Sequence, residues 1–102
     1  MPYERIFGLE VVDQVVYTQY RREMIPLLEA AGGTFRYDFD VARVLRGETD
    51  APINRLFVMR FPSLGDSEKF FADPQYLEVR RRLFEPSVGG IVLIAEYETK
   101  AA

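Results

Sequence analysis

The stretch that decides the fold is LFVMRF at residues 56–61, where one charged residue, Arg60, interrupts an otherwise apolar strand. Two further segments repeat the pattern: residues 6–12 (IFGLEVV, with Glu10) and residues 91–97 (IVLIAEY, with Glu96). A lone charge in so apolar a strand is costly unless it meets a partner, a cavity or water. The three charges therefore predict a site on the sheet that these strands form.

Length and composition narrow the class of protein. The chain has 102 residues, which predicts one domain over residues 1–102. Its net charge of −3 offers no basic field for nucleic acid. No segment approaches the ~20 apolar residues of a membrane span, and no N-terminal stretch resembles a signal peptide. We expect a cytoplasmic protein with neither a nucleic-acid nor a membrane partner.

The absence of histidine and cysteine limits the chemistry. Most transition-metal and haem sites use imidazole or thiolate ligands, and Ser-His or Cys-His nucleophiles need the same groups. Phosphate-binding glycine loops and calcium-binding loops are also missing. The sequence predicts no metal and no cofactor, so any reaction must use carboxylates, arginine, lysine, tyrosine or a small hydroxyl.

Hydrophobic periodicity and capping residues predict six main elements in the order βαββαβ. They are a strand over 5–12, a helix from Asp13 to Ala31, a strand over 34–45 with a bulge near Val41, a strand over 55–61, a helix from Ser63 to Ala72 continued by a short one after Asp73, and a strand following Gly89 and Gly90. Two β-α-β crossovers with an inserted strand predict an α+β, ferredoxin-like fold. The expected sheet is antiparallel in the order 4-1-3-2, with both helices on one face.

Alternation along the strands divides their side chains between the two faces of the sheet. The wholly apolar sets should face the helices, which leaves Glu10, Arg60 and Glu96 on the helix-free face. There they would lie on neighbouring strands at similar depth. That face would also present six apolar residues: Ile6, Val12, Leu56, Val58, Val92 and Ile94. So large an apolar patch needs a cover, and a second copy of the chain in a homodimer is the simplest.

Five segments carry a resemblance to a known family: 17–21 (YTQYR), 32–33 (GG), 44–47 (VLRG), 61–64 (FPSL) and 71–76 (FADPQY). In order and spacing they resemble the domain-of-unknown-function family numbered 1330, over essentially the whole chain. That family is similar to the dimeric α/β-barrel superfamily, in which two ferredoxin-like subunits pack sheet against sheet. The resemblance implies this dimer. It also implies a superfamily that includes small-molecule monooxygenases, haem-degrading enzymes, isomerases and ligand-binding domains. It supplies no set of catalytic residues for this chain.

Three functional interpretations follow from the charged row. In the first, the row lines a cavity between the sheet and its partner and binds a small organic molecule. Arg60 and Glu10 would contact this ligand, and Tyr37 would lie at the mouth of the cavity. In the second, the protein is a cofactor-free enzyme that uses Arg60 and a carboxylate, the same cavity is its active site, and Glu10 or Glu96 is the general acid or base. In the third, Glu10 and Arg60 form a buried ion pair in a purely structural dimer.

Overall fold

A four-stranded antiparallel sheet with helices on one face makes up the computed structural model, which describes residues 1–100. The strands are β1 (Tyr3–Val11), β2 (Thr34–Asp40), β3 (Arg55–Phe61) and β4 (Val88–Glu98). The helices are α1 (Gln14–Ala30), α2 (Leu64–Ala72), α3 (Pro74–Val79), its π-helical continuation (Arg80–Phe84) and α4 (Glu85–Ser87).

The sheet has the strand order β2-β3-β1-β4, with every neighbouring pair antiparallel. This confirms the predicted α+β, ferredoxin-like fold and its 4-1-3-2 order. The sheet of the single chain is open at β2 and β4, so one chain does not form a closed barrel. None of the helices in the described part of the chain combines the length and apolarity needed to cross a membrane.

The core lies between the sheet and the helices. On β1 and β3 the alternation places the predicted apolar sets inward: Phe7, Leu9, Val11, Phe57, Met59 and Phe61. Helix α1 covers them with side chains at three- and four-residue spacing: Tyr17, Tyr20, Met24 and Leu28. The prediction for these two strands and this helix is confirmed.

Capping residues set the ends of α1 as the sequence predicts. The Asp13 side chain accepts a hydrogen bond from the Val16 backbone N–H at 3.1 Å. At the other end Gly32 has a φ of 79°, a left-handed conformation that favours glycine. A Cβ on Gly32 would also lie 2.8 Å from Cγ of Pro62, so the turn has no room for a side chain.

A bulge in β2 differs from the prediction in position and in consequence. The register with β3 shifts between Phe35 and Tyr37, and the strand ends at Asp40 rather than at residue 45. Phe35 packs against the core, whereas Tyr37 lies opposite Val58 on the helix-free face. The extra residue at the bulge reverses the alternation that the sequence pattern assumes.

A second bulge reverses the faces of β4. Its register with β1 shifts after Ile6. Ile6 pairs with Ala95, but Phe7 pairs with Leu93, so Ile94 has no partner on β1. Beyond this bulge Glu96 lies opposite Arg5 on the helix side, and Tyr97 lies on the helix-free face. The prediction that Glu96 shares the face of Glu10 and Arg60 is therefore wrong. The strand also begins at Val88, so Gly89 and Gly90 belong to it.

Candidate functional site

A buried carboxylate, Glu4, lies on the helix-free face near the start of the inner strand β1. It is 1% exposed and receives one partner from each of the other three strands. Arg36 of β2 donates to Oε2 at 2.9 Å, and Tyr97 of β4 donates to Oε1 at 2.8 Å. Arg60 of β3 brings its Nε to 3.8 Å from Oε2. We call these four residues the Glu4 cluster.

The cluster keeps Glu4 ionised. Burial by itself would raise the pKa of this carboxyl. The hydrogen bonds from Tyr97 and Arg36, with the charges of Arg36 and Arg60, outweigh that effect and lower the pKa below its usual value. The negative charge is thus satisfied within one chain, without help from a ligand.

The predicted pairing of Glu10 with Arg60 is wrong because Arg60 of β3 lies beside the start of β1, whereas Glu10 lies near the end of β1. Arg60 pairs with Glu4, whereas Glu10 pairs with Gly90. The Glu10 carboxylate fills space beside Gly89, where a Cβ would lie 2.5 Å from its Oε1. Within residues 1–100 Glu10 takes part in no ion pair.

The other two predicted site residues lie apart from the Glu4 carboxylate. Glu96 accepts a hydrogen bond from the Tyr3 hydroxyl and lies 3.9 Å from Nε of Arg5. Tyr37 is 51% exposed and stacks on Phe39, with 5.7 Å between ring centroids. The structure thus gathers Arg60 with Glu4 and places Tyr37 beside Arg36 of the same cluster, with 5.6 Å from Cζ to the ring centroid. Glu10 and Glu96 lie elsewhere.

A cavity of 370 Å³ lies on the other side of the sheet, between the strands and the helices. Every layer contributes to its wall: Arg5, Phe7, Phe57, Met59, Ile91 and Leu93 from the sheet, and Tyr20, Met24, Phe71, Tyr76, Arg80 and Phe84 from the helices. Ile91 and Leu93 are 40% and 43% exposed, so the cavity meets solvent beside β4. A concave apolar space with a few polar groups is typical of small-molecule sites, whose volumes start at about 300 Å³.

Arg5 is the unusual wall residue of this cavity. Its guanidinium stacks on Phe71, with 4.8 Å from Cζ to the ring centroid. Its Nε is buried and makes no hydrogen bond among the described residues. Buried polar groups nearly always have a hydrogen-bond partner, so this N–H is able to donate to an acceptor that enters the cavity.

Two tyrosine hydroxyls meet at the same cavity. The oxygens of Tyr20 and Tyr76 are 3.0 Å apart, and both side chains are buried. Burial raises the pKa of Tyr20 far above its usual range, and the Tyr76 hydroxyl adds to this effect. Tyr20 therefore stays protonated. One bond between the two hydroxyls uses one proton, which leaves the other hydroxyl proton free to donate.

A second depression lies on the helix-free face, under the loop between β2 and β3. It measures 320 Å³ and is lined by loop residues together with Val92, Leu93 and Ile94 of β4. Neither Glu10, Arg60 nor Tyr37 is part of its wall. The predicted charged row therefore does not line this depression.

Sequence reasoning missed these site residues: Glu4, Arg36 and Tyr97 of the Glu4 cluster, and Arg5, Tyr76 and Arg80 of the cavity wall. Glu4 was missed because the first strand was predicted to begin at Arg5 and to carry its charge at Glu10. The signal was present: Glu4 has the parity of Ile6, and Arg5 has the parity of Phe7. Adjacent opposite charges at the start of a strand place one charge on each face.

Within residues 1–100, no group of three or more His, Cys, Asp or Glu side chains could hold a metal ion.

Comparison with known proteins identifies relatives of the chain. The model of the domain of unknown function DUF1330 matches residues 5–97. No curated protein matches the chain significantly.

Three solved structures share the fold. A protein of unknown function from Rhodopseudomonas palustris has a TM-score of 0.80 at 19% identity, covering 99% of this chain and 84% of its own. A dabb-family protein with a ferredoxin-like fold from Mesorhizobium loti has a TM-score of 0.67 at 15% identity, covering 98% of each chain. A dimeric protein of unknown function with a ferredoxin-like fold from Bacteroides fragilis has a TM-score of 0.61 at 13% identity, covering 96% of each.

Proposed function

Since the chain belongs to the DUF1330 family, a domain of unknown function, we propose its function from its own geometry: a homodimer that binds a small organic molecule in each chain. The binding site we assign is the cavity between sheet and helices, rather than a space between the sheet and its partner. The observation that carries this proposal is the buried Nε of Arg5, which makes no hydrogen bond among the described residues, at the wall of a 370 Å³ apolar cavity. The ligand would fill the apolar space and supply the missing acceptor.

The methionines provide a direct test of binding in this cavity. The chain has three, of which Met24 and Met59 line the cavity and Met1 is 66% exposed. We expect small aromatic compounds to shift the methyl NMR signals of Met24 and Met59 and to leave that of Met1 in place. A screen of single-ring and two-ring compounds on methyl-labelled protein measures this. Unchanged cavity signals throughout, or an equal shift of Met1, would contradict the proposal.

The homodimer is proposed through the helix-free face. Four large residues on that face are between 40% and 51% exposed: Tyr37, Phe39, Ile94 and Tyr97. Stable interfaces bury about 800 Å² per partner, and a molecule whose principal extents are 33 × 30 × 18 Å offers a face wide enough for this. The similar fold of a dimeric Bacteroides fragilis protein supports the same assembly. We expect sedimentation equilibrium at micromolar concentration to give twice the 11.8 kDa chain mass, and a monomer would contradict the dimer.

The Glu4 cluster fits a structural role in this dimer. Its carboxylate already has three partners, so it has no vacancy to offer a ligand. The side chains of Arg36 and Arg60 are 41% and 25% exposed in the single chain, and a second sheet would cover them further. A buried charge that is already paired can enter an interface without remaining unsatisfied. This is the part of the structural-dimer interpretation that the geometry supports, with Glu4 in place of Glu10.

A second candidate function is catalysis in the same cavity. The observation that favours it is the Tyr20–Tyr76 pair, because a hydroxyl donor at the cavity wall can stabilise negative charge that develops on a substrate oxygen. Glu96, next to Arg5, remains the carboxylate nearest to this wall among the predicted candidates. Incubation of each bound compound with the protein, followed by mass spectrometry, distinguishes the two functions. A chemically unchanged compound means that binding is the function.

A further inference from the structure

The charged residues that line the cavity are all positive. Of its twelve lining residues two are arginines, Arg5 and Arg80, and none is an acid or a lysine. Arg5 forms one long ion pair, with Glu96 outside the cavity wall, whose Oε1 lies 3.9 Å from Nε and thus beyond hydrogen-bonding distance. Glu96 is also directed to the Tyr3 hydroxyl. The apolar cavity therefore has two positive charges in its wall and no acid among the residues that line it.

Both guanidinium groups are held by aromatic rings. Arg5 lies over Phe71 and Arg80 lies over Phe84, each with 4.8 Å between Cζ and the ring centroid. A guanidinium that lies over a ring is attracted to the ring electrons, and its N–H groups can still donate hydrogen bonds. A planar fork of donors matches the two oxygens of a carboxylate.

Arg80 lies in the π-helical turn, Arg80–Phe84, that follows α3. Such single turns are frequent at functional sites, because they re-aim side chains relative to a regular helix. Here the turn contributes both Arg80 and its stacking ring Phe84 to the cavity wall. The free hydroxyl proton of the Tyr20–Tyr76 pair adds a neutral donor to the two cationic ones.

We infer that the ligand of this cavity is a small organic anion, namely a carboxylate on a flat apolar body of about one ring. Arg5 and Arg80 bind the carboxylate, the tyrosine pair donates to it, and the aromatic wall holds the ring. The volume of 370 Å³ limits the body, since it is near the lower end of the range for small-molecule sites. This inference rests on the proposed binding function and names its ligand class.

The test compares matched probes on the same protein. Benzoate and phenylacetate carry the anion and the ring, benzamide and phenylacetamide carry the ring alone, and acetate carries the anion alone. Binding is followed by titration of the Met24 and Met59 methyl signals and by calorimetry. We expect each aromatic carboxylate to bind at least tenfold more tightly than its amide and than acetate, because hydrogen bonds to charged groups are the stronger ones.

Variants then assign the effect to residues. Arg5→Gln should weaken binding of the aromatic carboxylates by about 10- to 100-fold and leave the amides within about twofold. Arg80→Gln should act in the same direction. The matched control is Arg81→Gln, since the side chain of Arg81 is 70% exposed and is not part of the cavity wall. Circular dichroism of each variant establishes that it is folded.

The outcomes separate this inference from the proposed function. Amides that bind as tightly as carboxylates, or Arg5→Gln and Arg80→Gln variants that bind carboxylates like wild type, overturn the anionic ligand class and leave cavity binding intact. Failure of every probe to shift the Met24 and Met59 signals overturns both. If Arg5→Gln does not fold, Arg80→Gln and the wild-type preference for carboxylate over amide decide the question.

Discussion

Replacement of Arg36 and Arg60 together by methionine should lower the free energy of unfolding by about 3–5 kcal/mol near neutral pH. The change leaves Glu4, whose side chain is 2% exposed, with the Tyr97 hydroxyl as its remaining partner. Surface ion pairs contribute little because water replaces the lost partner. The Glu4 side chain is almost entirely out of contact with solvent in the folded protein, so we expect the cost of a buried unpaired charge to apply.

The loss should depend on pH with a definite sign. In wild type the pKa of folded Glu4 is lowered, so its contribution to stability is present above the unfolded value of about 4.3 and is lost as the pH falls through the folded pKa. Without the two cations, burial dominates and raises the pKa of Glu4, so the folded variant takes up a proton. The difference between wild type and variant should therefore shrink as the solution is acidified. Chemical denaturation at pH 7 and at pH 4 measures it.

Two further variants make this prediction specific. Arg22→Met with Arg43→Met removes the same net charge from exposed positions and should change stability by about 1 kcal/mol or less. Addition of Glu4→Gln to the Arg36 and Arg60 changes should recover much of the loss, because an absent ion pair costs less than an unpaired buried charge. Equal, pH-independent stability of wild type and the double arginine variant would show that the cluster does not hold Glu4.

The sequence predicted the element order, the strand order and the faces of β1 and β3. These predictions succeeded because they depend on local pattern: a capping Asp13, a left-handed Gly32, and uninterrupted alternation on two strands that pair in one register. The hydrophobic period identifies a strand and its buried face wherever no residue is inserted.

The faces of β4 were mispredicted beyond Ile94 for a physical reason. The register shifts near Arg36 in β2 and near Ile94 and Gly89 in β4, and an extra residue at such a point reverses the alternation beyond it. The pairing energy that selects such a bulge comes from neighbouring strands and is not visible in a single segment. Glu96 consequently lies on the helix side instead of the helix-free face.

The composition of the candidate site depends on register, which no local pattern specifies. The charged row was expected to join Glu10 with Arg60, but antiparallel pairing places Arg60 opposite Glu4, six residues from Glu10 along β1. The cavity depends on even more distant contacts, since Arg5 and Arg80 come from opposite ends of the sequence. The sequence could supply the residue types of the site but not their partners.

The variant Phe39→Asp with Ile94→Asp, which changes the helix-free face and is called the open-face variant below, should convert the proposed homodimer to a monomer. Both residues are about half exposed in the single chain, at 51% and 48%, and both lie on strands of the proposed interface. Two copies of the variant would bring four unpaired carboxylates into an apolar contact. Burying even one such charge costs several kcal/mol, so we expect the dissociation constant to rise at least 100-fold.

The matched control places the same charges on the helix side of the molecule. Val15 and Leu77 are 82% and 44% exposed on α1 and α3, so Val15→Asp with Leu77→Asp adds two carboxylates per chain away from the sheet. Sedimentation equilibrium should give the monomer mass for the open-face variant and the dimer mass for the control, with circular dichroism showing that both are folded. A dimer that persists in the open-face variant, or dissociation in the control alone, would place the interface elsewhere. Retention of aromatic-ligand shifts at Met24 and Met59 in the monomeric variant would further show that each cavity is complete within one chain.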